Sequence, residues 1–288
     1  MITRRQVMSL AVAAALAPAA RSASADRALK ALHKRVGGRL GVHILDSQSG
    51  RRIAYDYDSR YAMASTFKLM LAAALLWQVD KKAFTLAHEL AISAEDVMPT
   101  SPEVEAKLKT GASSMSVRDL CAAIVVSSDN AAANILLKGI GGPSAFTTFM
   151  RSMGDEKTRL DRTELDLNAN LPDDPRDTTT PRAMVDSMLR VFTQDVITMA
   201  SRALLIDWMM QSRTGLDRVR AGIPKSWQVG DKTGTGPRGA FNDLAIAWPP
   251  GRRPIFIAVY MSESKLPAND LAVAHADIGR LVAEQDWK

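Results

Sequence analysis

The chain has 288 residues, 47% of them hydrophobic and 24% charged, with a formal charge of +6. That composition excludes a disordered polypeptide, and the length suits one large domain or two modest ones. Half the basic excess, Arg4, Arg5 and Arg21, falls in residues 1–25 with no acid beside it; elsewhere no Lys/Arg run interleaves with aromatics, so no nucleic-acid partner is expected.

Residues 1–25 combine the charged head Arg4-Arg5, an apolar stretch over 7–20 and the Ala23-Ser24-Ala25 cleavage pattern of an export signal. The apolar stretch is shorter than the ~18 residues a bilayer crossing needs, and no cysteine follows it to carry a lipid. Export to the periplasm with no membrane anchor is therefore expected. Thr3-Arg4-Arg5 also resembles a twin-arginine signal, and that route and the general secretory route both stay open.

Residues 25–36 have helical spacing. Leu40, Val42 and Ile44 then alternate up to a turn at Asp46-Ser47-Gln48-Ser49-Gly50, and residues 51–55 complete a hairpin. From about 65 to 215 the period and composition are helical, apart from a Pro/Asp/Asn-rich stretch from Arg162 to Asp177. The only cysteine, Cys121, lies in the helical-looking stretch 117–137 and is expected in the core. Strands follow over 228–232, 242–248 and 255–261, with Pro249-Pro250-Gly251 turning between the last two, and a helix over 268–285 closes the chain.

Two β-rich ends around a helical middle predict one antiparallel sheet built from both termini, with terminal helices on a face and a helical domain inserted between strands. This is an α+β fold with a cleft between two lobes. The expected division is 26–64 with 213–288 as the α/β lobe, and 65–212 as the helical lobe. His33, His43, His88 and His275 are scattered without ligand spacing, so no metal, no cofactor and no Ser-His-Asp triad is expected.

Ser65 opens an apolar helix in Ala64-Ser65-Thr66-Phe67-Lys68. A serine there can be a plain helix cap. Lys68, however, lies one turn along the same face, near enough to influence the hydroxyl, and a helix N-terminus favours developing negative charge. S-x-x-K alone is weak, because Ser262-Glu263-Ser264-Lys265 matches it too; that copy follows a strand, runs into Leu266-Pro267 and is expected to be an exposed turn. Ser128-Asp129-Asn130 falls between two helical runs, where a cap is the plain alternative to a proton-relaying Ser128 and a substrate-binding Asn130. Lys232-Thr233-Gly234-Thr235, on a strand beside the cleft, would offer a fixed positive charge, a hydroxyl, a glycine that lets a ligand approach the backbone, and an N–H. A second K-T-G, Lys109-Thr110-Gly111, reads as a helix stop.

In this order and at these separations, S-x-x-K, S-D-N and K-T-G resemble the class A β-lactamases and, more broadly, the penicillin-binding proteins. The resemblance covers essentially the whole chain after residue 25. It implies a β-lactamase/transpeptidase-like fold, an α/β/α sandwich with an inserted all-α domain, and a monomer whose partners are a small β-lactam and water. It also implies roles: Ser65 as nucleophile, Lys68 or a water-mediated Glu164 as the acylation base, and Ser128 as proton donor to the ring nitrogen. The oxyanion would be held by the backbone N–H groups of Ser65 and Thr235, the substrate carboxylate by Lys232, Thr233 and Arg218, and the acylamide by Asn130.

Glu164-Leu165-Asp166-Leu167-Asn168 resembles the family's E-x-x-L-N element, in which carboxylate and amide hold the deacylating water. It separates a hydrolase from a DD-peptidase or a β-lactam sensor, which acylate the same serine. Residues 162–177 have the size of an Ω-loop; by the resemblance Arg162 and Asp177 pair across its neck, and Asn134 hydrogen-bonds Glu164. Phe241 stands where some members carry a carboxylate-gripping arginine, and Thr100 where many have an aromatic, which predicts a more open lip. Ala64 and Gly236 occupy the positions of a cysteine pair found in some carbapenem-hydrolysing members.

Overall fold

The computed structural model describes residues 24–287. The expected export signal therefore lies almost wholly outside the described residues. Helix α1 (24–36) presents Ala25, Leu29, Leu32 and Val36, four positions on one helical stripe, to the core. Ala25, expected as the last residue of the signal, is buried in the first turn of this helix. Strands β1 (Arg39–Asp46) and β2 (Arg52–Tyr55) form the expected hairpin, and β3 (Tyr61–Ala62) follows.

The middle of the chain supplies α2 (Phe67–Asp80), β4 (Glu89–Ala91), α3 (Pro102–Lys109), β5 (Ser114–Ser116), α4 (Val117–Val126), α5 (Asn130–Ile140) and α6 (Pro143–Ser152). After the loop come β6 (Thr178–Thr179), α7 (Pro181–Thr193), α8 (Met199–Met210) and the short α9 (Val219–Gly222). Strands β7 (Gln228–Gly236), β8 (Ala240–Trp248) and β9 (Ile255–Ser262), then α10 (Ala268–Glu284), complete the chain. Two small antiparallel pairs, β3 with β6 and β4 with β5, interrupt the helical middle and were not anticipated. Each is only two or three residues long, too short for a period-two pattern to register.

The main sheet has the order β2-β1-β9-β8-β7 and is antiparallel throughout, so the first two strands lie against the last three. Alternation divides it. Val42, Ile44, Ala245, Ile257 and Val259 face α1 and α10, whereas Leu244, Ile246, Phe256, Ala258 and Tyr260 face the helical side. On that side α2 is buried from Phe67 to Leu76 and, Lys68 apart, apolar all round over that stretch, as the central helix of a packed lobe must be. Cys121 is buried in the same core.

Asp129 shows why the 117–137 stretch breaks. One carboxylate oxygen accepts the Ala132 N–H (2.9 Å) and caps α5; the other accepts the N–H groups of Glu103 and Val104 (2.9 and 3.1 Å) at the start of α3. The plain cap reading of S-D-N is therefore true, alongside whatever its neighbours do. Lys109-Thr110-Gly111 is a helix stop, with Gly111 at φ +84°. The second S-x-x-K differs from expectation: Ser262 ends β9 and both Ser262 and Ser264 are buried, leaving Glu263 and Lys265 exposed.

Candidate active site

A cleft of about 790 Å³ opens between the sheet edge β7, the N-terminus of α2, the α4–α5 junction and the 162–177 loop. Ser65 lies on its floor in a 3-10 turn, Ala64–Thr66, that leads into α2. Its hydroxyl caps nothing. Instead the Lys68 ammonium stands 3.1 Å from Oγ. Lys68 is fully buried, and its Nζ also lies 2.9 Å from the Ser128 carbonyl, 2.5 Å from Asn130 Oδ1 and 2.8 Å from Glu164 Oε1. Four acceptors surround three protons. Burial pushes the Lys68 pKa down, opposed by the Glu164 carboxylate.

Glu164 reaches Lys68 because its backbone is clamped. The Glu164 N–H donates to Asn134 Oδ1 and Asn134 Nδ2 donates back to the Glu164 carbonyl, both at 2.9 Å. Asn134 thus meets the glutamate through its peptide group and not through its carboxylate. Glu164 Oε2 accepts from Asn168 Nδ2 at 2.6 Å, while Asn168 Oδ1 is buried with no protein partner. The loop neck is closed by Arg162 Nε on Asp177 Oδ2 at 2.5 Å, and Asp177 Oδ1 accepts the N–H groups of Asp161 and Arg162.

Ser128, at φ +61°, joins the two lysines: its carbonyl meets Lys68 and its hydroxyl accepts from Lys232 Nζ at 3.0 Å. Lys232 is fully buried, and desolvation, together with Lys68 and Arg218, holds its pKa well below the usual range. Asn130 Nδ2 donates to the Pro99 carbonyl at 2.7 Å, which leaves one amide N–H uncommitted. Thr233 donates its hydroxyl proton to Thr214, a cleft-lining residue outside every motif. Gly234 is required for a different reason from the one expected: a Cβ there would stand 2.7 Å from the Met63 carbonyl, so its smallness lets β7 pack against the turn carrying Ser65.

Arg218 is also in the cleft wall, almost buried. Nη1 donates to the carbonyls of Gly234 (3.1 Å) and Asn242 (2.6 Å), and Nη2 donates to Thr235 Oγ1 at 2.6 Å. Its guanidinium stacks 3.6 Å above the centroid of Phe241, whose other neighbour is the edge-packed ring of His275 at 5.3 Å. This stack was missed; the one available signal was that Phe241 stands where an arginine is found in some relatives. Also missed was Asn242, which donates to the Ala62 and Met63 carbonyls (2.9 and 3.1 Å) and ties the strand before Ser65 to the sheet. Thr100 lines the lip, exposed and small.

An amine in contact with both a hydroxyl and a carboxylate, with a second buried amine across the cleft, has the parts of a serine acyl-transfer site. Residues 24–285 match the model of the β-lactamase enzyme family. The chain is 42% identical over 263 residues to β-lactamase AST-1 of Nocardia asteroides, covering 91% of this chain and 84% of that one. An ancestral class A β-lactamase, the last common ancestor of Gram-negative bacteria, superposes with a TM-score of 0.86 at 50% identity, over 89% of this chain and 97% of that one. A β-lactamase of Xanthomonas campestris gives a TM-score of 0.89 at 40% identity, over 92% and 98%. The chain belongs to the class A β-lactamases, hydrolases that act on β-lactams.

Proposed function

We propose that the chain opens the β-lactam ring of penicillins and cephalosporins through an ester on Ser65, which water activated by Glu164 then hydrolyses, and that it thereby confers resistance. Lys68 passes a proton to Glu164 and, now neutral, takes the Ser65 proton as Oγ attacks the ring carbonyl; the contacts at 2.8 and 3.1 Å support this order. The backbone N–H groups of Ser65 and Thr235 hold the oxyanion. As the carbon–nitrogen bond breaks, Ser128 protonates the ring nitrogen and is reprotonated from Lys68, and Glu164 returns its proton to Lys68. Lys232, Thr233 and Arg218 receive the substrate carboxylate, and the free N–H of Asn130 receives the acylamide.

For deacylation, the Glu164 carboxylate and the unpartnered Asn168 Oδ1 hold a water, and Glu164 takes its proton as it attacks the ester; the carbon–Oγ bond then breaks, Ser65 Oγ takes a proton from Lys68, and Glu164 returns its proton to Lys68. The single observation that carries this reading is Glu164 itself, buried against Lys68 and Asn168 on the loop over Ser65. Residues 1–25 direct export, and the enzyme works in the periplasm as a monomer. Purified protein mixed with a chromogenic cephalosporin tests the whole: turnover is expected, with at least ~10³-fold less in Ser65→Ala. No turnover by the unsubstituted protein would overturn it.

A further inference from the structure

Among the described residues, Met98, Met199 and Met210 are the methionines that are not buried: Met199 is 83% exposed, Met210 37% and Met98 partly so. Met199 and Met210 stand at the two ends of α8. Met98 instead precedes Pro99 and Thr100, the exposed lip of the cleft, and its sulfur lies 3.8 Å from Asn134 Nδ2. That nitrogen has two protons. One goes to the Glu164 carbonyl at 2.9 Å and is half of the clamp on that peptide; the other faces the thioether, a weak acceptor.

Oxygen added to this sulfur changes the balance. A sulfoxide is polar and accepts far more strongly, and three rotatable bonds let the oxygen of either epimer reach the same N–H. There it would come nearer to Nδ2 than a hydrogen bond allows unless something moves. The backbone beside Met98 is pinned: the Pro99 and Thr100 carbonyls accept from Asn130 Nδ2 and the Asn130 N–H at 2.7 and 2.8 Å, and the Val97 N–H donates to the Ala94 carbonyl at 3.2 Å. The Asn134 backbone is held within α5. What turns is the Asn134 amide, at the expense of its bonds to Glu164. Cys121 is no rival target, because it is fully buried and burial pushes its thiol pKa up, away from the reactive thiolate.

We propose that Met98 is an oxidation site, and that its sulfoxide draws the Asn134 amide off the Glu164 peptide and slows deacylation. The oxidant is hydrogen peroxide: the sulfur gives up two electrons, the O–O bond breaks, one oxygen bonds to sulfur and the other leaves as water with both protons. Methionine sulfoxide reductases, one for each epimer, reverse the change with a dithiol that ends as a disulfide, the oxygen leaving as water. The kinetic consequence rests on the proposed role of Glu164.

The test is to treat the purified protein with hydrogen peroxide, locate oxidation by peptide mapping and measure steady-state kinetics with benzylpenicillin. Oxidation at Met98 should lower kcat and KM together about tenfold, with kcat/KM, which reports acylation, within about twofold, and acyl-enzyme should accumulate by intact-protein mass spectrometry. Met98→Leu, treated alike, should keep the kcat and KM it had before treatment. The Met199→Leu/Met210→Leu variant should lose as much as the unsubstituted protein, and the reductases should restore the unsubstituted protein. Oxidation of Met199 and Met210 with Met98 untouched, an oxidised Met98 with unchanged kinetics, or a fall in kcat at constant KM, as when a fraction of molecules is simply inactivated, would overturn the inference. Absence of turnover before treatment would instead overturn the reading of Glu164 beneath it.

Discussion

Lys68 and Lys232 are both fully buried and meet through one serine, with a single carboxylate, Glu164, in contact with Lys68. Burial lowers both pKa values, and the Lys68 charge lowers that of Lys232 further, which is the condition under which an amine exchanges protons with a hydroxyl. These residues were legible in the sequence because each motif is contiguous and carries its chemistry within four positions. Arg218 on Phe241 was half legible: the arginine stood out, but its aromatic support lies on another strand and only the fold joins them. If that stack positions Arg218 for the substrate carboxylate, Phe241→Ala should raise KM for a penicillin about five- to tenfold while kcat stays within about twofold, in line with ~1 kcal/mol for a partly desolvated cation–π contact. A fall in kcat with KM unchanged, read from initial rates, would assign Phe241 another role.

At the level of elements, the 162–177 loop has little apolar substance of its own, with Leu167 its one fully buried hydrophobic residue. Its shape is carried by Asp177, buried and accepting two backbone N–H groups and the Arg162 guanidinium. Asp177→Ala leaves all three donors without that acceptor, and chemical denaturation should show a loss of about 2–3 kcal/mol. Deacylation should slow more than acylation in the same variant, because Glu164 rides on the loop; equal slowing of the two steps in single-turnover measurements would count against this. The loop was legible from its prolines and aspartates. The break between α4 and α5 was marked only by the polar triplet, since the residues on either side are uniformly apolar, and the reach of Asp129 across to α3 was not visible at all.

For the whole molecule, the alternation in residues 40–44 and the composition of the last third were enough to anticipate a sheet built from both ends. Strand order and the short strand pairs required the fold, because pairing depends on distant partners. The sheet's outer core contains His275, whose neutral ring meets the Leu271 carbonyl at 2.9 Å; desolvation, with Arg218 nearby, lowers its pKa to about 3. His43, on β1, is lowered to about 4 by burial and Arg52. Both side chains bind protons more readily unfolded than folded, so their contribution is complete above about pH 6.5 and is lost as pH falls toward 4 and 3. Thermal unfolding should thus show Tm dropping through that window, and His275→Phe should flatten the drop; an unchanged acid limb would show that His275 does not carry it.

The central claim, that Glu164 converts an acylated Ser65 into a turning-over hydrolase, is tested most directly by intact-protein mass spectrometry of Glu164→Gln mixed with benzylpenicillin. The variant keeps the side chain's size and its neighbours Lys68, Asn134 and Asn168 but cannot take a proton from water; without the carboxylate that opposes burial, Lys68 is left neutral to accept the Ser65 proton, so acylation still proceeds. The account predicts an adduct of the mass of the intact antibiotic, located on Ser65 by peptide mapping and persisting for minutes or longer while the unsubstituted protein returns to its free mass. A variant that turns the penicillin over at the normal rate with no adduct would contradict it.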